Sequence, residues 1–229
     1  MPGTGVAVMG ATGGCGTTTM AAAIAAWGGA GICRVLGLDG HGGGPHALWG
    51  MRVERGVDHL DAVRAEVDAG HVQHIAHKGM AEWDLVAGPE SAMTYAGWGG
   101  DLAPRLVAAM VPQGPWVADL GRGDHQLAEC VVKHASGVVV MTPCSLDGAE
   151  ACRHLLSHIS APRVLVAAVA RPGQHHVSRR AIRRLVPGHP VMEVPWDRRG
   201  VGRLALGATG RRGLQSCVGQ IMQALVNDG

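Results

Sequence analysis

Between residues 6 and 26 an apolar stretch runs into four glycines, Gly10, Gly13, Gly14 and Gly16, and then into Thr17, Thr18, Thr19 and an alanine-rich segment. Those types in that order suit anion binding. Glycines let the backbone take positive φ and approach a ligand closely. Threonine is a favoured residue at a helix start. The free N–H groups and positive dipole end of the following helix then face the loop and favour phosphate. Two chemistries share this grammar. One is the phosphate-binding loop G-x-x-x-x-G-K-[ST], which aligns on Gly16-Thr17-Thr18 with Ala11 at the opening glycine and Thr17 at the lysine. The other is a dinucleotide turn of G-x-x-G-x-x-G type, met by Gly10, Gly13 and Gly16. A tight turn without ligand is the bland alternative, and the loop by itself does not choose.

Other residues invite chemistry less strongly. Asp39 and Asp119 each end an apolar run, where acids hold metal or merely cap a turn. His71, His74 and His77 recur every third residue, but positions six apart align poorly on a helix and no acid completes a metal set. They read as a solvated face, as does the His175-His176 pair. Cys15 lies inside the loop, where a helix end lowers a thiol pKa. A small residue tolerated in a tight turn is the plainer reading. Arg179, Arg180, Arg183 and Arg184 form a basic run that would meet nucleic-acid phosphates without sequence preference. A solvated helix face is the preferred reading, so nucleic acid is not an expected partner.

The totals limit the classes further. A chain of 229 residues with 47% hydrophobic content builds a sizeable core, and one domain over residues 1–229 is the expectation. With no Phe and one Tyr, that core is Val, Leu, Ile, Met and Ala with a few Trp. A net charge of +2 does not point to a dedicated nucleic-acid binder. Basic residues are almost all Arg, with Lys78 and Lys133 the only lysines, which reads as codon bias. Cys15, Cys33, Cys130, Cys144, Cys152 and Cys217 form no C-x-x-C pair and read as reduced thiols. No leader segment and no bilayer-spanning run is evident, so a cytoplasmic chain is expected.

The positioning elements alternate strand and helix. Strands are read at 6–10, 32–38, 83–87, 115–120, 137–142, 163–169 and 190–194. Helices are read at 17–26, 57–68, 72–76, 101–111, 126–134, 147–159, 178–186 and 214–226. Val57, Leu60, Val63 and Val67 share one face of the second helix. The run 137–142 is apolar throughout, as in a parallel strand buried on both faces. Leu214, Val218, Ile221, Met222 and Leu225 make a stripe that packs on the core or on a second subunit. The pattern predicts an α/β fold, a doubly wound, mostly parallel sheet with helices on both faces and sites at the carboxyl ends of the strands.

Three segments then carry a resemblance: 10–19, 36–44 (Leu-Gly-Leu-Asp-Gly-His-Gly-Gly-Gly) and 117–122 (Val-Ala-Asp-Leu-Gly-Arg), with 138–143 after them. In this order they resemble the MinD/ParA superfamily of P-loop ATPases. More narrowly they are similar to its CpaE/TadZ-like actinobacterial branch, the septum-site-determining (Ssd) proteins, over about residues 5 to 207. The resemblance implies a cradle over Thr12, Gly13, Gly14, Cys15, Gly16, Thr17, Thr18 and Thr19. It implies Mg bound by Thr18, Asp39 and Asp119, with ATP or ADP as cofactor. The signature lysine falls on Thr12 and the P-loop lysine on Thr17, and both are lost. The Asn that reads adenine would lie near Ala170-Arg171 and is absent. The resemblance also implies a homodimer across Gly13–Thr19 and Gly42–Gly44, with pilus, secretion or division proteins as partners and recruitment to a pole, septum or inner membrane face.

Phosphoryl transfer needs positive charge on the β- and γ-phosphates. Losing a preorganised charge there costs on the order of 3 kcal/mol, roughly a hundredfold in rate. The expectation is a pseudo-ATPase: the amide cradle binds while turnover is weak or absent, unless Arg122 or Arg171 replaces the lysines. Two rivals stay open. One is an NAD(P)-binding protein like the atypical short-chain dehydrogenases, with Asp39 on a ribose hydroxyl. In it Tyr95 lacks the lysine four residues on, where Gly99 stands. The other is an active ParA-like ATPase that partitions DNA.

Overall fold

The computed structural model describes residues 5–28, 34–39, 44–79, 83–89, 102–110, 114–173, 176–205 and 213–226. Eight strands form one sheet: β1 (Gly5–Gly10), β2 (Arg34–Gly37), β3 (His77–Lys78), β4 (Asp84–Ala87), β5 (Trp116–Asp119), β6 (Gly137–Pro143), β7 (Val164–Val169) and β8 (Val191–Val194). Their order across the sheet is β3-β4-β2-β5-β1-β6-β7-β8. Every pairing is parallel except the two-residue edge strand β3, which runs antiparallel to β4. The doubly wound, mostly parallel architecture expected from the alternating pattern is the one found.

The helices are α1 (Thr17–Gly28), α2 (Pro45–Leu48), α3 (Ala69–Ile75), α4 (Leu102–Met110), α5 (Gln126–His134), α6 (Leu146–Leu156), α7 (Arg179–Leu185), α8 (Arg198–Ala205) and α9 (Leu214–Val226). They divide the core into two layers. On one face α1 and α9 pack together and onto the sheet, burying Met20, Ile24, Val218, Ile221 and Leu225. On the other, α4, α5 and α6 bury Leu102, Leu106, Leu127, Val131 and Cys152. Because β1 and β6 lie between these layers, Val6 to Met9 and Val138 to Met141 are buried on both sides. That explains why their sequence is continuously apolar rather than alternating. The α9 stripe proves to be core packing, with Leu214, Val218, Ile221, Met222 and Leu225 all buried.

Some boundaries differ from the reading. Residues 57–68 do not form one α-helix. A 3₁₀ helix spans Val57–Val63, and a turn follows at 64–66. Val57 and Leu60 still face the core, as i,i+3 spacing allows in either helix type. The helix placed at 147–159 starts one residue earlier and ends at Leu156. α8 and β3 were not anticipated: α8 is short and Gly/Arg-rich, and β3 is too short to show a period. Tyr95, Cys33, Gly42, Gly43 and His175 lie outside the described residues. Among the described residues no helix is long and apolar enough to cross a membrane.

α1 carries the loop residues, so its packing sets their position. Ile24 is fully buried at the centre of its layer. Ile24→Ala is expected to lower the unfolding free energy by about 2–4 kcal/mol through lost transfer energy and an unfilled cavity. In a urea titration the midpoint falls while the slope is unchanged.

Candidate functional site

The loop between β1 and α1 lies where β1 is flanked by β5 and β6, at the carboxyl ends of all three strands. Main-chain bonds clamp its entrance: Gly10 N–H donates to Gly121 O at 2.7 Å and Ala11 N–H to Met141 O at 2.9 Å. Only two of the four glycines use the left-handed region, Gly14 (φ 67°) and Gly16 (φ 97°). Gly10 and Gly13 do not, contrary to the expectation. Gly10 is needed for closeness instead, because a Cβ there would lie 2.6 Å from Cys15 Sγ and 2.7 Å from Thr17 Oγ1. Beyond the clamp, among the described residues, no amide from Thr12 to Thr19 donates to a main-chain acceptor. Successive unpartnered amides at a helix N-terminus form an anion-binding concavity.

The three threonines take separate roles, and none is an ordinary helix cap. Thr17 is buried, and its hydroxyl contacts the Cys15 thiol at 3.5 Å inside the loop. The Thr17 side chain therefore packs inward. Thr18 donates its hydroxyl to Asp119 Oδ2 at 2.6 Å, tying the start of α1 to the end of β5. Thr19 lines the open side of the loop. Cys15 is itself buried, as a small filler of the turn would be.

Asp119 is fully buried, and Gly121 N–H donates to its other oxygen at 3.2 Å. Burial pushes its carboxyl from 3.8 up to about 6. The Thr18 and Gly121 hydrogen bonds oppose this shift, and the nearby charge of Asp39 adds to it. Asp39 follows β2 and packs against the Gly121 turn, where a Cβ would lie 2.5 Å from its Oδ1. Two carboxylates and a hydroxyl thus converge, with one carboxylate under electrostatic strain that a cation would relieve. Hard oxygen donors of this kind suit Mg²⁺. The donor set of Thr18, Asp39 and Asp119 therefore fits the metal.

A cleft of about 560 Å³ joins Thr12, Gly13, Gly14, Gly16 to Thr19, Asp39, Gly121 and Arg122. Arg122 is the cation in its wall and also pairs with Asp124 at 3.6 Å, both side chains being exposed. A second, mainly apolar cavity of about 290 Å³ lies on the other side of Gly14, Gly16 and Thr19. Met20, Met141, Arg171, Pro195, Trp196 and Asp197 help to line it. The Arg171 guanidinium sits 5.3 Å from the Trp196 ring centre. One of its nitrogens would be 3.6 Å from a Cβ on Gly14. Sequence reasoning missed Pro195, Trp196 and Asp197. The signal available was their place at the carboxyl end of a strand, β8, where α/β sheets build sites.

The histidines do not converge. His71 pairs with Asp68 at 2.8 Å, His74 approaches Arg55 at 2.7 Å, and His77 belongs to β3, not to a helix. Arg179, Arg180, Arg183 and Arg184 are all exposed on α7, whose start Ser178 caps by accepting from Ala181 N–H. Strand order also bears on the dinucleotide rival. That fold sets β2 directly beside β1 so that its terminal acid meets the ribose. Here β5 intervenes and Asp39 faces Asp119's side of the cleft.

No protein-family model matches the chain, and no curated protein matches it. Solved structures do. A ParA family ATPase from Chlorobium tepidum TLS aligns with TM-score 0.79 at 15% identity over 99% of both chains. A variant of Cyanothece McdA in complex with ATP aligns at 0.73 and 14% identity over 97% of this chain and 96% of that one. The septum site-determining protein MinD from Pyrococcus horikoshii OT3, complexed with Mg-ADP, aligns at 0.70 and 13% identity over 99% and 98%. At these identities the likeness shows the fold: that of MinD/ParA-type P-loop NTPases.

A carboxyl whose native pKa exceeds its unfolded one binds its proton more tightly when folded. Its contribution to stability is present below 3.8 and is lost as pH rises through about 6. Asp119→Asn removes the charge, keeps one acceptor oxygen for the Gly121 N–H, and turns its NH2 to donate to the Thr18 hydroxyl. In metal-free buffer it is expected to raise the unfolding free energy at pH 8 by about 2 kcal/mol. The gain should shrink toward zero at pH 4, as read by thermal melts across pH.

Proposed function

We propose that this chain is a Mg-nucleotide-binding protein of MinD/ParA type with weak or no phosphate release, acting as a localisation or regulatory factor. The observation that carries the reading is the run of unpartnered amides from Thr12 to Thr19 beside the buried Asp119–Thr18 pair. An anion cradle next to a strained carboxylate is what a phosphate and its metal require together. Thr18, Asp39 and Asp119 would hold Mg²⁺, and the amides of Gly13 to Thr19 would hold the phosphates. The metal neutralises phosphate charge when bound. What the chain itself supplies is position, through the clamp at Gly10 and Ala11.

Weak turnover is supported by what stands at the two lysine positions. Thr12 carries no charge, and Thr17 turns its hydroxyl into the loop toward Cys15. Arg122 lines the cleft but is exposed and shared with Asp124, so its charge is screened. ATP and ADP are the nucleotides named for two of the solved neighbours, and septum-site determination is named for one. These support, for this chain, a role in division-site placement; the pilus or secretion role of the CpaE/TadZ-like kind rests on the sequence resemblance alone. It would act as a homodimer across the loop face with a protein partner. Partitioning of DNA through the α7 arginines is the less favoured reading.

Thermal shift and phosphate release test the proposal. Millimolar ATP or GTP should raise the melting temperature only when Mg²⁺ is present, and NADPH should not. Phosphate release should stay near background and rise roughly a hundredfold in the Thr12→Lys, Thr17→Lys double variant. Rapid release by the wild-type chain, or stabilisation by NADPH alone, overturns the reading.

A further inference from the structure

The second cavity holds more specific chemistry than an apolar base slot needs. Its wall contains a donor fork, Arg171, and an acid, Asp197, as well as the Trp196 ring. The guanidinium lies against the Trp196 face and beside Gly14, and its Nε is buried with no hydrogen-bond partner among the described residues. Arginine presents donors only. Asp197 accepts from Gly200 N–H at 2.7 Å and weakly from Leu214 N–H at 3.4 Å. Each carboxylate oxygen has two acceptor sites, so both retain capacity.

We infer that this cavity selects guanine over adenine, with Arg171 as the reader of the base and Asp197 as its second contact. The inference rests on the nucleotide reading above and names the base that the same site takes. The two purines differ where a fork meets them. Guanine offers two adjacent acceptors, O6 and N7, the pattern arginine engages bidentately, whereas adenine sets a donor, its N6 amine, beside N7. A donor-only side chain meets that amine with repulsion. Guanine's N1–H and 2-amino group then need an acceptor, and the remaining lone pairs of Asp197 supply it. Trp196 borders the cavity and its ring holds the Arg171 guanidinium in the wall. The cavity, at about 290 Å³, is at the small end of ligand sites, which suits a base whose phosphates lie in the neighbouring cleft. Gly14, Gly16 and Thr19 border both spaces, so one nucleotide can span them.

Equilibrium titration of the full chain with GDP, ADP and inorganic pyrophosphate, all with Mg²⁺, tests this. GDP should bind roughly tenfold or more tightly than ADP, the size expected for one good bidentate pair. Arg171→Ala should erase that preference and leave pyrophosphate binding unchanged, and Arg171→Lys, which keeps the charge and loses the fork, should fail to restore it. ADP binding as tightly as GDP overturns the inference and leaves the nucleotide reading intact. Equal weakening of GDP, ADP and pyrophosphate by Arg171→Ala, with rescue by Arg171→Lys, also overturns it, since Arg171 would then serve as phosphate charge. If neither nucleotide nor pyrophosphate binds, the nucleotide reading itself fails and the inference goes with it. Thermal melts of both variants verify that they fold.

Discussion

A short hydrogen bond between two elements organises the site. The Thr18 hydroxyl donates to the buried Asp119 carboxylate at 2.6 Å. That bond joins the first turn of α1 to the end of β5, a strand that pairs with both β1 and β2. It fixes which way the helix N-terminus faces and holds an acid at the base of the cleft. The acid is costly where it stands, because burial disfavours its charge and Asp39 adds a second negative group nearby. A ligand-free molecule therefore carries local electrostatic strain. Perturbed acids cluster at functional sites.

Around that bond the loop's main chain and its side chains divide the work. The main chain supplies the Gly10 and Ala11 clamps, the positive φ of Gly14 and Gly16, and beyond them amides that, among the described residues, donate to no main-chain acceptor. None of these depends on side-chain identity except through glycine. The side chains at positions 12 and 17 are threonines and carry no charge. Phosphate recognition by a cradle of amides needs no cation from the side chains, while transition-state stabilisation of phosphoryl transfer does.

Two neighbouring spaces of different character follow from the same geometry. The polar cleft lies toward Asp39, Gly121 and Arg122, and the apolar cavity toward Trp196 and Met141. The loop is the wall between them. Arg171 belongs to the apolar side, where Trp196 holds it, rather than to the polar cleft.

Local sequence determined a good deal. Apolar runs at 6–9 and 138–141 marked strands buried on both faces, because a parallel sheet covered by helices leaves no side for polar residues. Gln126–His134 and the Ser178 cap were legible from periodicity and capping chemistry, which act over a few residues. The glycine–threonine order of the loop marked a tight turn into a helix for the same reason. Tertiary structure decided the rest. Whether Gly10 served conformation or close packing depended on where Cys15 and Thr17 folded back. The 57–68 segment winds as a 3₁₀ helix only to Val63, with Val57 and Leu60 buried and Val63 and Val67 packed partly buried against the same core. Above all, strand order settled which residues meet. Inserting β5 between β1 and β2 brings Asp39, Asp119 and Thr18 together from positions far apart in the chain, and the end of β8 carries Trp196 to Arg171. Pairing between distant strands is a property of the whole sheet, so no stretch of residues could declare it alone.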